Sequence, residues 1–154
     1  MSSAWLLSWN PQKWNWQNYD SLCARTKDGH TVIEPWTCHS KKPLIGDEVF
    51  LIKIGKRPRG IIAHGHICRE SYSERHYDFE RAAKGEKTNH IDAEFDLILN
   101  YENERILSQD LLKEILPDQQ WSPQGSGIQI RNNVLPDLKV EWEETVKKNN
   151  GNKQ

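Results

Sequence analysis

The chain has 154 residues, 36% of them hydrophobic, and a mean hydropathy of −0.84, which fits one domain with a real core. No apolar run approaches the roughly 18 residues that span a bilayer, and MSSAWLLSWN lacks the basic flank of a signal peptide. With 21 Lys and Arg against 22 Asp and Glu, the net charge of −1 argues against a uniformly basic nucleic-acid binder.

Residues 4–9, AWLLSW, read as a short buried strand. Trp16, Tyr19, Leu22 and Cys23 recur at helical spacing, which predicts a helix over 16–24, with Asn15 as its cap and Gly29 beyond its end. Thr31–Trp36 is β-branched and extended, and Pro35 keeps Glu34 out of the helical region. After the turn at Gly46-Asp47, EVFLIKI (48–54) and GIIAHGHIC (60–68) read as a hairpin whose tip, GKRPRG, is basic. From Arg69 to Asn89 no period is visible, and the stretch reads as a long polar loop. In 90–99, Ile91, Ala93, Phe95 and Leu97 alternate with polar residues, which predicts a strand with one buried face.

Ser108 caps a predicted helix that Pro117 stops. Ile128–Ile130 is a short strand, and Leu135, Leu138, Trp142 and Val146 mark the face of a last helix. The domain is expected to span 1–146, with 147–154 as a linker or disordered tail. The order β-α-β-β-β-loop-β-α-β-α predicts an α+β fold. Its sheet is small, twisted and barrel-like, with helices flanking it, and it lacks the regular βαβ alternation of a Rossmann domain.

Cys23, Cys38 and Cys68 are odd in number and share no CxxC spacing, so free thiols and a cytoplasmic location are expected. No dinucleotide fingerprint or phosphate loop is present. His64 and His66 share one strand face and could ligate a metal, but two ordinary sheet histidines are the plainer reading. Neither a cofactor, a metal nor a catalytic set is expected.

Two features stand out. Residues 1–75 hold 11 Lys/Arg against 7 Asp/Glu, while 76–154 hold 10 against 15. Within 36–60, Lys41, Lys42, Lys53, Lys56, Arg57 and Arg59 outnumber Asp47 and Glu48, a local patch able to face phosphates. The chain also has seven tryptophans. Trp5 and Trp142 fit the core, Trp9 fits either place, and an excess this large suits stacking on a planar ligand.

The segments WLLSWNPQKW, EPWTCHSKKPLIGDEVFLIKIGKRPRGIIAHGHI, SERHYDFE, IDAEFDLIL and QWSPQGSGIQI, in that order over about 4–145, resemble the EVE domain. This PUA-like module is related to YTH and ASCH domains. In particular the segments resemble the version at the N-terminus of bacterial modification-dependent HNH restriction endonucleases.

The resemblance implies a twisted β-barrel-like core and an aromatic pocket for one extrahelical base. It also implies DNA with modified bases as partner, a nuclease domain elsewhere in the full protein, and no enzyme activity in this chain alone. Trp36, Thr37 and Cys38 match the cage-wall element. Trp121, Ser122, Trp16, Trp14, Asn10, Ser8 and Tyr77 are the further pocket candidates. Lys13, Lys41, Lys42, Arg57 and Arg59 are the expected phosphate contacts. The base is expected to be 5-methylcytosine or 5-hydroxymethylcytosine. N6-methyladenine DNA, modified RNA and a small ASCH-like hydrolase remain open.

Overall fold

A computed structural model describes residues 3–75 and 87–151. Its elements are β1 (Ala4–Trp9), α1 (Tyr19–Lys27), β2 (Val32–Thr37), β3 (Glu48–Lys53), β4 (Gly60–Arg75), β5 (Lys87–Ile98), β6 (Leu107–Ser108), α2 (Gln109–Ile115), β7 (Ile128–Ile130) and α3 (Leu135–Gly151).

Seven strands form one sheet in the order β2-β5-β4-β3-β1-β7, with β6 pairing β4 off that path. The β1–β3 pair is parallel and the others are antiparallel. The sheet has helices on both faces. Trp5, Leu7, Trp9, Val49 and Leu51 join the core that includes Tyr19 and Cys23 of α1, whereas Ala4, Leu6, Phe50 and Ile52 join Leu112 of α2 with Leu138 and Trp142 of α3. Burial on both faces is why β1 and β3 read as continuous apolar runs rather than alternating ones.

The α+β class with a twisted sheet and flanking helices is the one expected from the sequence. The sheet is twisted but does not close into a barrel. Its two edges do approach each other. The backbone N–H of His39, just past β2, donates to Ser126 O, just before β7, at 2.9 Å, while Gly127 N donates to Leu6 O of β1 at 3.0 Å and continues the β1–β7 pairing. Gly127 has φ +98°, and a Cβ there would lie 2.5 Å from Cys38 Sγ and 3.0 Å from His39 N. Only glycine fits this seam without movement.

Several boundaries differ from expectation. α1 begins at Tyr19, not Trp16, because Asn18 adopts a left-handed conformation at φ 63° and Trp16 stays in the preceding loop. β4 runs on to Arg75 and β5 begins at Lys87, so much of the expected polar loop is a two-stranded ribbon. The last helix continues past 146 to Gly151. There the Asn149 side chain, buried, donates to Arg105 O at 2.8 Å and accepts from Arg105 N at 2.9 Å, which ties the expected tail to the domain.

Candidate nucleic-acid interface

β1 ends at Trp9, and the chain turns at once. Asn10 Oδ1 accepts from Gln12 N at 3.0 Å, and Asn10 O accepts from Lys13 N and Trp14 N. This side-chain-closed turn swings Trp14 back over the sheet, where its carbonyl accepts from Trp9 Nε1 at 2.9 Å. The turn also packs on the β3–β4 tip. A Cβ on Gly55 would come within 2.5 Å of Asn10 Oδ1.

Beside this turn lies a cavity of about 570 Å³. Its lining comes from four places: the end of β1 (Ser8, Trp9), the turn after it (Asn10, Lys13, Trp14), β2 with the residue beyond its end (Pro35–Thr37, His39), and the start of β5 (Thr88–His90). Ile54 and the 124–126 segment complete it. Among the described residues, no Asp or Glu lines it.

The aromatic wall is layered. Trp36 is 4% exposed and donates from Nε1 to Ser8 O at 3.0 Å. Trp14, at 37% exposed, meets Trp36 edge-on, with ring centres 5.0 Å apart. Trp16 stacks behind Trp14 at 6.4 Å and 24°, and its Nε1 donates to Glu34 Oε1 at 2.6 Å. Trp36 is therefore wall and core at once, while Trp14 has a face left open.

Of the residues singled out from the sequence, Ser8, Asn10, Lys13, Trp14, Trp36 and Thr37 line this cavity together. Trp16 is buried behind them and does not line it. Cys38 is buried just beneath, with its Sγ 3.4 Å from Ser40 O and its thiol pushed by burial up to about 11. Two candidates belong elsewhere. Trp121 is 1% exposed in the core under α2 and α3, and its Nε1 donates to Leu116 O at 2.8 Å. Ser122 accepts from Gln109 Nε2 at 3.1 Å on that same side. A loop rich in Pro, Gly and Ser holds a core anchor here because the indole N–H finds a backbone carbonyl inside. Tyr77 lies outside the described residues.

The basic candidates divide. Lys41 and Lys42 are exposed just after His39. Arg57 pairs with Asp110 of α2 at 2.9 Å, and Arg59 Nε donates to Gly55 O at 2.8 Å. Lys53, counted in the local patch, is turned inward. It is 2% exposed, with Nζ donating to Lys56 O and Pro58 O at 2.6 and 2.7 Å and lying over the Tyr101 ring. Burial, with Arg59 nearby, holds its pKa below the usual lysine range. Its role is to brace the hairpin tip against which Asn10 rests.

Sequence reasoning did not single out His39, Thr88, Asn89, His90 or Gln124. Each is polar; Thr88, Asn89 and His90 join the lining through strand pairing and His39 and Gln124 through the loops beside it, and β5 residues 88–89 fell in the stretch without a period. His64 does not gather metal ligands. It bridges Glu48 Oε2 at 2.6 Å and Asp96 Oδ2 at 2.9 Å. Among the described residues, no group of three His, Cys, Asp or Glu side chains is placed to hold a metal ion. No helix among them is long and apolar enough to cross a membrane.

No family model matches the chain, and no curated protein matches it. Solved structures do match its fold. A protein from Pseudomonas syringae superposes with a TM-score of 0.61 at 18% identity, covering 90% of this chain and 99% of its own. A hypothetical protein from Leishmania major gives 0.59 at 17%, covering 94% and 97%. Human THYN1, solved in complex with DNA containing 5-methylcytosine, gives 0.55 at 13%, covering 91% and 98%.

Proposed function

We propose that this chain binds DNA carrying a modified base, 5-methylcytosine or 5-hydroxymethylcytosine, by taking that base out of the helix and into the cavity beside Trp14 and Trp36. The observation that carries the reading is the cavity itself. It has two tryptophan walls, one with an open face, a margin of hydroxyl, amide and imidazole groups, and, among the described residues, no carboxylate to repel DNA. Extruding a base costs a few kcal/mol, and each stacking wall returns roughly 1–3 kcal/mol. The polar margin then has the Watson–Crick edge to inspect. The binding of 5-methylcytosine DNA by human THYN1, which shares the fold, agrees with this assignment.

In this reading the chain is a binding module without catalysis of its own. The sequence resemblance supports a role in a modification-dependent restriction system, with the nuclease on a separate domain. The test is a titration panel of short duplexes, each carrying one modified base, at a single fixed salt concentration. Tighter binding to one modified duplex than to its unmodified twin is expected. Equal affinity across the panel would overturn the proposal.

A further inference from the structure

Stacking walls accept any planar base, so they cannot separate 5-methylcytosine from thymine. The two share the C5 methyl and differ at position 4, an amino donor in one and a keto acceptor in the other. A pocket that tells them apart needs a fixed acceptor there. Several acceptors of the lining are already engaged. Ser8 O takes Trp36 Nε1, Asn10 Oδ1 takes Gln12 N, Asn89 Oδ1 takes Ser73 Oγ and Ser126 O takes His39 N.

His90 is different. It lies directly opposite Thr37 of β2 and Tyr72 of β4, and opposite residues in antiparallel ladders share a face. Two contacts fix its ring. The imidazole stacks on the Tyr72 phenol at 5.9 Å and 27°, and its Nδ1 lies 2.9 Å from Thr88 O. A carbonyl oxygen only accepts, so Nδ1 carries the proton, and in the neutral ring Nε2 is then a bare acceptor. His90 and Thr37 both line the cavity, and neither Nε2 nor the Thr37 hydroxyl has a hydrogen-bond partner among the described residues.

We infer that His90 is a specificity-determining residue whose Nε2 accepts a hydrogen bond from the exocyclic amino group of the flipped base, so that the site takes amino-bearing bases and rejects keto-bearing ones. The inference rests on the base-reader reading above. A keto oxygen facing Nε2 would set two acceptors against each other and leave both unsatisfied. Thr37, able to donate or accept, tolerates either edge and supplies no choice.

The experiment uses the full chain and three duplexes identical except at one position, which holds cytosine, 5-methylcytosine or thymine opposite an abasic site, so that the cost of extrusion is matched. Wild type should prefer 5-methylcytosine to thymine by about tenfold or more. His90→Phe keeps a ring to stack on Tyr72 but lacks the acceptor, and it should bring that ratio near one. His90→Gln, whose amide offers either an acceptor or a donor, should fall between. Unchanged urea midpoints would separate these effects from misfolding. Wild type that prefers 5-methylcytosine to cytosine yet binds thymine equally well, or a His90→Phe variant that keeps the wild-type ratio, would overturn the role of His90 and leave the reader function standing. No preference for 5-methylcytosine over cytosine would overturn the reading and the inference with it.

Discussion

At the scale of single residues, the two tryptophans of the wall carry different loads. Trp36 contacts Trp14, Trp16 and Phe95 and is nearly inaccessible. Its truncation to Ala should cost about 3–5 kcal/mol of stability, read as a lowered urea midpoint. Trp14→Ala should leave that midpoint close to wild type and weaken binding to modified DNA by about 1–3 kcal/mol. The reverse pattern would place the stacking face on Trp36. The sequence pointed to both residues as pocket candidates. It favoured Trp36 as the cage wall and did not reveal Trp14 as the more exposed ring, because exposure is set by the turn at Asn10, which folds Trp14 over the outside of a ring cluster that begins with Trp9.

At the scale of elements, one charged junction joins β3, β4 and β5 to α3. Burial opposes a charge on His64, but hydrogen bonds to Asp96 and Glu48 outweigh it and raise its pKa to about 9. The bond to His64 in turn holds the Glu48 carboxyl below the usual range, and Lys139 of α3 adds to this from 3.5 Å. A histidine whose folded pKa exceeds its unfolded value stabilises fully below about pH 6.5 and loses that contribution as pH rises through about 9. The urea midpoint of wild type should therefore fall across that interval, by an amount on the order of 3 kcal/mol in stability. His64→Gln should flatten the profile there. A wild-type midpoint constant from pH 6.5 to above 9 would show that the charged bridge does not form.

The elements themselves were legible where chemistry repeats along the chain. Ser108 caps α2 by accepting from Leu111 N, as its position before an apolar run implied, and the 48–68 hairpin follows from its apolar strands and Gly-rich tip. The outer part of the β4–β5 ribbon was not legible. Arg69–Arg75 includes no large aliphatic residue, so no alternation marks it as a strand. The cavity needs residues near 9, 37, 89 and 125 together, a proximity that no local pattern encodes.

At the scale of the whole molecule, a net charge of −1 conceals how differently the described cations near the cavity are engaged. Lys53 is internal, Arg57 is paired and Arg59 is bonded to Gly55 O, whereas Lys13 lines the cavity and Lys41 and Lys42 are exposed just after His39, so among the described residues these three are the candidates for phosphate contact. Replacing those three by Gln should lower affinity for modified and unmodified DNA alike. The slope of log K against log salt should shrink by about 0.9 for each phosphate that is no longer neutralised. Arg57→Gln should change that slope little, since Asp110 already holds the guanidinium. A slope unmoved by the triple change would show that the lysines are only solvated.

The distribution of exposure among the seven tryptophans also has an optical consequence. Six are at most 6% exposed, and Trp14 alone reaches 37%. A small aqueous quencher such as iodide should extinguish only a minor, red-shifted part of the intrinsic fluorescence, the part that Trp14→Phe removes. A base seated against that ring would both shield it from iodide and quench it by contact. On the proposed reading the protein carries its own reporter of occupancy, and a titration with modified DNA should be visible in its emission with no label attached.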